Sequence, residues 1–488
     1  MNADFLLLAR ALSPEIALVA GALAVLALDL TALRRQGTQA RLNAAAAVGA
    51  LAVAIAFGLN CRAGALGPVF AGTLLFDSLA VVGRGGALVL TLLVLGLSTG
   101  ARVLRNPAEY VCILLLATMG FTMMAASNQL LVGFLALELA SLSLYILAGF
   151  DKTSPESAEA GLKYFLFGGM SAAFLLFGFS LLYGLTGTIQ LAQLSAALTT
   201  QGPSPLLYVA LVMVVVAFGY KAAAAPFHLW APDAYQGAPT PSAALIASGS
   251  KLAGMIFFVR LLWPGLGPVA GNVSYTVSAG GWLPAVAVLS GTSLLIGNLA
   301  ALAQDNVRRL LAYSAIAHAG AMLLGLMAYS KTGAGPLVYY VFTYGIATAG
   351  AFGVIGVVER GGRCARLSDL AGLARRSPLL AGCLMLFVLS LAGVPPLAGF
   401  FGKFAVFAGA LRLGGLAGPA GWLTLLAIAM SAVGLYYYLL ILKQALVVPA
   451  KADDAPIAVP FAARVTLAAA ALATVGLGLW PSWFLSQF

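Results

Sequence analysis

The sequence predicts an all-α polytopic membrane protein with about fourteen transmembrane helices, and three observations support this fold class. The chain is 62% hydrophobic and 8% charged, whereas a soluble protein carries about a quarter charged residues. Apolar runs recur from end to end, and a run of about twenty residues crosses a hydrocarbon core about 30 Å thick. The alternating pattern of outer-membrane β strands is absent.

Fourteen hydrophobic segments define the expected spans, numbered here in chain order. Three helix starts are sharply marked, because Ser154, Thr240 and Ser377 each place an N-cap hydroxyl directly before a proline at the first helical position. The predicted ranges are 14–33, 43–61, 77–100, 109–126, 129–149, 155–185, 205–226, 241–262, 281–302, 307–329, 335–358, 378–401, 420–446 and 462–482.

The loops between these spans carry Lys and Arg unequally. Because positively charged loops stay in the cytoplasm, we expect both chain termini on the opposite side. This orientation also explains the net charge of +11, since the basic residues form no cluster that indicates nucleic-acid binding. Fifteen basic residues follow odd-numbered spans (Arg34, Arg35, Arg41, Arg102, Arg105, Lys152, Arg308, Arg309, Arg360, Arg363, Arg366, Arg375, Arg376, Lys443 and Lys451), and four lie opposite (Arg10, Arg62, Lys331 and Arg412).

Spans 7 and 12 are expected to be broken helices. Pro226 interrupts the seventh span, and Pro395 and Pro396 interrupt the twelfth, because proline removes a helical hydrogen bond. The breaks lie five spans apart, so we predict two five-helix repeats of opposite orientation, spans 4–8 and 9–13. The predicted domains are an N-terminal three-helix segment (1–105), the two repeats (106–265 and 279–447) and a C-terminal helix (455–488).

Five ionisable residues lie where a membrane protein tolerates them poorly. Glu138 is near the middle of the fifth span, where an ionised side chain costs about 2.5–3.5 kcal/mol on insertion scales. Any one of these residues could be a satisfied structural charge, but a relay of ionisable groups is the simplest common explanation. The other four are Lys163, Lys221, Lys251 and Lys403, of which Lys221 and Lys403 adjoin the two breaks.

Three arginines within the spans receive a structural interpretation. Arg260 and Arg464 lie near helix ends, where long side chains are expected to snorkel to the interface. Arg84 lies further inside span 3 beside glycines, so we expect snorkelling or a close helix contact rather than transport.

Both histidines lie near these elements. His228 is inside the break of span 7, and His318 is in span 10, which corresponds in the repeat to the glutamate-bearing span 5. Histidine titrates near neutral pH and suits a proton shuttle. The alternative for each is a neutral histidine that is hydrogen-bonded between helices.

Several familiar chemistries lack a signature in this sequence. It contains no P-loop, no haem-like histidine pair, no dinucleotide fingerprint and no metal-ligand set. Cys61, Cys112, Cys364 and Cys383 have no CxxC spacing and are interpreted as packing residues. We therefore expect no cofactor or metal in this chain, and its work would be driven by partners or by an ion gradient.

Six motifs together resemble the antiporter-like membrane subunits of respiratory complex I, most closely the N type of bacterial NADH–quinone oxidoreductase. The resemblance covers nearly the whole chain. Lysine at position 403, where the M type carries glutamate, and the lack of the lateral C-terminal helix of the L type favour the N type. The motifs are LALELASLSLYILAGF, EAGLKYFLFG, KAAAAPFHLWAPDAYQGAPTP, SGSKLAG, NVRRLLAYSAIAHAG and GVPPLAGFFGKF.

The resemblance implies a role for each buried ionisable residue. Glu138 would interact with Lys221, and Lys251 would link an input half to an exit half. His318 and surrounding water would carry the middle of the path, with Lys403 as the exit-side group. Lys163 matches a sixth-helix lysine of the family.

The resemblance also implies a setting for the chain. It would be one membrane subunit of a proton-translocating NADH–quinone oxidoreductase in the bacterial inner membrane, with both termini periplasmic. Flavin, iron–sulfur clusters and quinone would belong to partner subunits, and the nearest partners would be related membrane subunits.

Two other function classes remain open from the sequence. One is a subunit of an Mrp-like sodium/proton antiporter, because that assembly shares the motifs. The other is a structural scaffold whose buried charges only fix the register of the helices.

Overall fold

A helical bundle with a single short hairpin makes up the described part of the chain. The computed structural model describes residues 2–101, 105–200, 202–274, 280–362, 364–413, 415–416, 418–450 and 455–488. Arg102, Arg363, Lys451 and position 279, the predicted start of the second repeat, lie outside the described residues, as does the side chain of Lys331.

The predicted all-α membrane fold is confirmed. Within the described ranges, thirteen helices are long and apolar enough to cross a membrane, and span 12 is a pair of shorter apolar helices. Spans 1 to 6 are Ser13–Thr31, Thr38–Ala63, Ser78–Ser98, Pro107–Ala126, Leu130–Ala148 and Pro155–Thr186, and spans 8 to 11 are Thr240–Gly265, Trp282–Leu302, Val307–Met327 and Gly335–Arg360. Span 7 is Pro205–Ala222 continued by Trp230–Gly237, span 12 is Pro378–Ala392 with Ala398–Leu411, and spans 13 and 14 are Pro419–Val447 and Phe461–Leu479.

Short elements connect these spans. A two-stranded antiparallel hairpin, β1 (Gly67–Val69) and β2 (Leu74–Phe76), precedes span 3. Short helices are Asn2–Ala11, Leu191–Thr200, Tyr329–Thr332, Leu373–Arg376 and Pro481–Leu485, and 3-10 turns are Gly267–Val269 and Leu367–Leu370. The hairpin and the Leu191–Thr200 helix were not predicted from the sequence.

The two predicted breaks have the same local form. The first half of each broken helix is followed by a residue in the left-handed region, Ala223 (φ +56°) in span 7 and Gly393 (φ +88°) in span 12. Three residues further on, Pro226 and Pro396 each follow a cis peptide bond. Glycine suits position 393 for a second reason, because a Cβ atom there would lie 3.1 Å from Lys403 Cδ.

Span 8 also departs from a straight helix, at a bend that the sequence did not predict. Helical segments Thr240–Ala247 and Gly249–Arg260 meet at Ser248, whose φ of −112° departs from helical geometry. Ser248 Oγ donates a hydrogen bond to Ala244 O at 2.6 Å, and this back-bonding bends helices. The bend lies one turn before Lys251.

Small residues bring corresponding helix pairs of the two predicted repeats into backbone contact. A Cβ atom on Gly120 of span 4 would lie 2.6 Å from the Ala140 nitrogen of span 5. A Cβ atom on Gly297 of span 9 would lie 2.4 Å from the Ala317 nitrogen of span 10. Close approach at small residues is the usual packing of membrane helices, and the match places Glu138 and His318 beside equivalent contacts.

Arg84 makes a close helix contact, which was one of its two expected roles, whereas the expectation that Arg260 snorkels was wrong. Arg84 is fully buried and pairs with Glu15 of span 1, with Arg84 Nη2 2.5 Å from Glu15 Oε2. Arg260 is 2% exposed and pairs with Asp77 at the start of span 3. Each arginine therefore joins two spans by a charge pair, while Arg464 is exposed as expected.

Replacing Glu15 with glutamine should destabilise the bundle. The change leaves the Arg84 charge buried without its counter-ion, and breaking such a pair costs about 3–5 kcal/mol. We expect Glu15→Gln to lower the free energy of unfolding of the detergent-solubilised protein by that amount, measured by denaturant titration. The matched control is Glu109→Gln, because Glu109 is exposed at the start of span 4. Equal stability of the two variants would contradict a structural role for the Arg84 pair.

Candidate functional site

The break in span 7 places Lys221 next to the face of span 5 that carries Glu138. Lys221 lies in the last turn of Pro205–Ala222 and is 7% exposed. Its Nζ donates to Ser141 Oγ at 3.0 Å, and Ser141 lies three residues after Glu138, on the same helical face. Glu138, Lys221 and Tyr145 line one cavity of about 10 Å³, which is about the space that one water needs.

Glu138 and Lys221 share this cavity without direct contact. Within the described residues, no ion pair at or below 4.0 Å joins the Glu138 carboxylate to a basic group. Glu138 Oε1 is buried and makes no hydrogen bond to the described protein. The structure thus places Glu138 and Lys221 as a separated pair around a small cavity, and the interaction that the resemblance implies stays a prediction.

Neighbouring helices satisfy the backbone groups that the break in span 7 frees. The Trp230 indole donates to Tyr220 O at 3.1 Å. The Ala225 nitrogen donates to Ser293 Oγ at 2.8 Å, and Thr292 Oγ1 donates to Ala225 O at 2.9 Å. Non-helical backbone at membrane depth requires such partners, so span 9 of the second half supports the break in the first half.

Lys251 is the next member of a row of ionisable side chains that begins with Glu138 and Lys221. A Cβ atom on Gly254 would lie 3.2 Å from Lys221 Cγ, and Gly254 is one turn after Lys251 on span 8. Lys251 is 3% exposed, and its Nζ donates to Ala315 O of span 10 at 2.6 Å. The same ammonium lies 5.3 Å from the centre of the Tyr344 ring, within cation–π distance.

His318 is held between two tyrosines. Its Nδ1 lies 2.6 Å from Tyr340 Oη, and its Nε2 lies 3.1 Å from Tyr438 Oη. Tyr438 Oη also contacts Ser314 Oγ. The Tyr344 ring, which Lys251 approaches, is centred 4.8 Å from the imidazole. Lys251 and His318 therefore both approach the Tyr344 ring, while the Tyr344 hydroxyl has no hydrogen-bond partner among the described residues.

Lys403 closes the row at the break in span 12. Its Nζ donates to Leu391 O at 2.9 Å and to Ala392 O at 3.0 Å. These carbonyls end the helix Pro378–Ala392, where the helix dipole favours a cation. Lys403 and His318 line a common cavity of about 20 Å³ with Tyr340 and Tyr438.

Two predicted site residues lie apart from this row. Lys163 is 39% exposed in its side chain and pairs with Glu159 at 2.6 Å and with Asp233 at 2.7 Å. His228 is buried in the break of span 7, and its ring is centred 6.4 Å from the ring of Tyr313. Neither residue lines the two cavities described above.

The sequence predictions omitted Tyr340, Tyr344, Tyr438 and Asp233. The tyrosines lie in the strings YYVFTYG and LYYYLL, which resemble ordinary aromatic packing until the fold brings spans 10, 11 and 13 together. Asp233 binds both Lys163 and Arg309. The sequence does indicate it, because it is a carboxylate inside a broken span, in the segment FHLWAPDAYQG.

The site offers proton donors and acceptors rather than metal ligands. Across the described ranges, no three His, Cys, Asp or Glu side chains are grouped so that they could hold a metal ion. The four cysteines are free thiols. In the loop after span 11, burial raises the pKa of the Cys364 thiol to about 12, so this thiol stays protonated and suits packing.

Comparison with known proteins identifies the family. The family model described as "NADH:quinone oxidoreductase/Mrp antiporter, TM" matches residues 127–436. NADH-quinone oxidoreductase subunit N 2 of Acidobacterium capsulatum is 47% identical over 493 residues, covering 97% of each chain. The Desulforamulus reducens subunit N is 40% identical over 378 residues, covering 77% of this chain and 76% of the relative.

A solved structure shares the fold along the whole chain. A chain of respiratory complex I from Thermus thermophilus with bound Aureothin is 33% identical, with a TM-score of 0.78 over 97% of this chain and 98% of that chain. The chain therefore belongs to the NADH:quinone oxidoreductase and Mrp antiporter family of membrane subunits and, within it, to the subunit N group.

Proposed function

We propose that this chain moves protons across the membrane as subunit N of an NADH–quinone oxidoreductase. The observation that carries the proposal is the row of ionisable side chains that connects the two broken helices. The row runs from Glu138 through Lys221, Lys251 and His318 to Lys403. Ionisable residues inside a membrane protein are a functional-site hypothesis by default, and the family provides the setting.

The first step uses the separation between Glu138 and Lys221. A buried ammonium is stabilised by a nearby carboxylate and becomes unfavourable when that carboxylate moves away. Ser141 accepts from Lys221 on the same helical face as Glu138. A small shift of span 5 or of the break would therefore change both the Lys221–Ser141 contact and the distance from Lys221 to Glu138, and would release the proton of Lys221 toward Lys251.

The second step passes the proton from Lys251 to His318 through water, because the Tyr344 ring that both groups approach cannot carry a proton itself. Lys251 donates to a backbone carbonyl and approaches the Tyr344 ring, so its described contacts contain no counter-ion that would hold the proton. A neutral imidazole donates from one nitrogen and accepts at the other. With hydroxyls at both nitrogens, His318 can receive a proton from one side and pass one to the cavity that it shares with Lys403.

The break in span 12 would form the exit side of the proposed proton path. Lys403 binds two carbonyls at a helix end, and these dipoles hold a proton less strongly than a carboxylate would. Lys163, tied to Glu159 and Asp233 at the side predicted to be cytoplasmic, would supply the input. The supporting residues His228, Pro226, Pro395 and Pro396 shape the two breaks.

The energy for this movement would come from partner subunits. We propose that flavin, iron–sulfur clusters and quinone lie in those partners, and that this chain contacts other antiporter-like and small membrane subunits. The membrane would be the bacterial inner membrane, with both termini periplasmic according to the distribution of Lys and Arg.

Neutralising Lys251 should stop proton transfer through this subunit. We expect Lys251→Met to lower proton pumping by at least about tenfold, because a positioned proton-transfer group typically contributes 10²–10⁴ in rate. Pumping is measured by the quenching of a pH-sensitive dye in inverted membrane vesicles, per assembled complex. Lys152→Met is the matched control, because Lys152 is exposed in the loop after span 5. Equal pumping by the two variants would remove Lys251 from the relay.

The two ends of the row should be needed as well. We expect both Glu138→Gln and Lys403→Ala to reduce proton pumping while the complex assembles, because the first removes the charge that acts on Lys221 and the second removes the exit-side amine. The same vesicle assay measures the effect, with assembly checked by the amount of peripheral subunits that co-purifies. Normal pumping by both variants would refute the row as the proton path.

The antiporter and scaffold alternatives give different results in these assays. An Mrp-like antiporter would show sodium-dependent proton flux without NADH or quinone, and no flavin or iron–sulfur subunits would co-purify. A scaffold would lose assembly after Lys251→Met, but the remaining complexes would pump normally.

A further inference from the structure

Arg308, at the start of span 10, binds both sides of the junction between spans 7 and 8. Arg308 Nη1 donates to Gln236 O and to Ala238 O, both at 3.0 Å. These carbonyls close the second half of span 7, where the helix dipole favours a cation. Arg308 Nη2 donates to Thr240 Oγ1 at 2.7 Å, and Thr240 begins span 8. One guanidinium thus binds the end of one helix and the start of the next.

Arg308 is itself oriented from two sides. Its guanidinium pairs with Glu359 at the end of span 11, and both side chains are 15% exposed. Glu359 also accepts from Thr240 Oγ1, so the three side chains form a closed triangle. The Asn306 side chain accepts from the backbone nitrogens of Arg308 and Arg309 at 3.0 Å, which fixes the start of span 10.

The neighbouring Arg309 holds the same half-helix at a second point. Arg309 Nη1 donates to Asp233 Oδ1 at 2.6 Å, and Asp233 lies in Trp230–Gly237, the second half of span 7. Two consecutive residues of span 10 therefore fix both the side and the end of this half-helix, whose other end adjoins the break.

The elements that meet at Arg308 are those that carry the proposed row. Lys221 precedes the break in span 7, Lys251 follows the bend in span 8, and His318 lies ten residues after Arg308 on span 10. Ten residues of helix correspond to about 15 Å. A displacement at the junction would shift the half-helix that adjoins the break and the segment that adjoins the bend, and would therefore change the distances between these three groups.

We infer that Arg308, oriented by Glu359, is a positioning residue for proton transfer, because it fixes the lysine-bearing spans 7 and 8 relative to the histidine-bearing span 10. The inference rests on the proposed proton row. Arg308 does not touch that row, and it acts through the placement of Lys221, Lys251 and His318. A planar fork is required at this position, because a lysine ammonium cannot bind the carbonyls, the hydroxyl and the carboxylate with the same geometry.

The test compares Arg308→Gln, Arg308→Lys and Glu359→Gln in the assembled complex. The readout is the ratio of the proton-pumping rate to the amount of assembled complex in inverted vesicles, which a loss of stability or assembly alone does not change. We expect Arg308→Gln to lower this ratio about tenfold, because misplacement by about 1 Å can cost up to 10²-fold in rate. Arg308→Lys should recover part of the ratio, and Glu359→Gln should give an intermediate loss.

Two further variants sharpen the result. Arg360→Gln is the matched control, because Arg360 follows Glu359 but binds Thr99 O and Gln39 Oε1 instead of the junction. Its ratio should match the wild type. The double variant Arg308→Gln/Glu359→Gln should be no worse than Arg308→Gln alone, since residues that act through one contact are not additive.

The outcomes separate this inference from the proposed row. If Lys251→Met abolishes pumping while Arg308→Gln, Arg308→Lys and Glu359→Gln all keep the wild-type ratio per assembled complex, Arg308 has only a structural role and the inference is wrong. If Lys251→Met pumps normally, the row itself fails. If Arg308→Gln does not assemble, the ratios of Arg308→Lys and Glu359→Gln decide, and wild-type values in both overturn the inference.

Discussion

The backbone groups freed at the two helix breaks impose the constraint on which the rest of this structure depends. No water competes for such groups in the hydrocarbon region, so each needs a partner within the protein. In span 7 the partners are the Trp230 indole and the hydroxyls of span 9. In span 12 they include Ser390 Oγ, which accepts from Gly399 N, and Lys403, which donates to two carbonyls. The lysine proposed as the exit-side group is thus also a structural one.

Five buried or half-buried cations fall into two groups with different partners. Arg84 and Arg260 pair with carboxylates, and a guanidinium does not lose its proton in proteins. Among the described contacts, Lys221, Lys251 and Lys403 bind a hydroxyl or carbonyls and no carboxylate within 4.0 Å. Amines can lose a proton, and neutral partners do not oppose that loss with a full charge. The chemistry of the partner therefore separates fixed charges from exchangeable ones.

Much of this arrangement could be predicted from the sequence, because its signals are local. Span positions follow from hydrophobic length, and the breaks follow from Pro226, Pro395 and Pro396. The bend at Ser248 could not be predicted, because serine and glycine are common in straight membrane helices. The pairing of Arg260 with Asp77 and the tyrosines around His318 depend on contacts between residues far apart in the chain. Those contacts follow from the packing of spans, which a single sequence does not reveal.

The size of the two polar cavities has a consequence for what can travel along the row. At about 10 and 20 Å³, each holds about one water, since a water needs at least 10–15 Å³ of such space. A metal cation that moves with its hydration shell is several waters wide and does not fit in this conformation. A proton needs no space of its own, because it passes between neighbouring lone pairs. If the proposed proton path runs here, the tight packing around Glu138 and His318 would favour a proton over a hydrated cation by size alone.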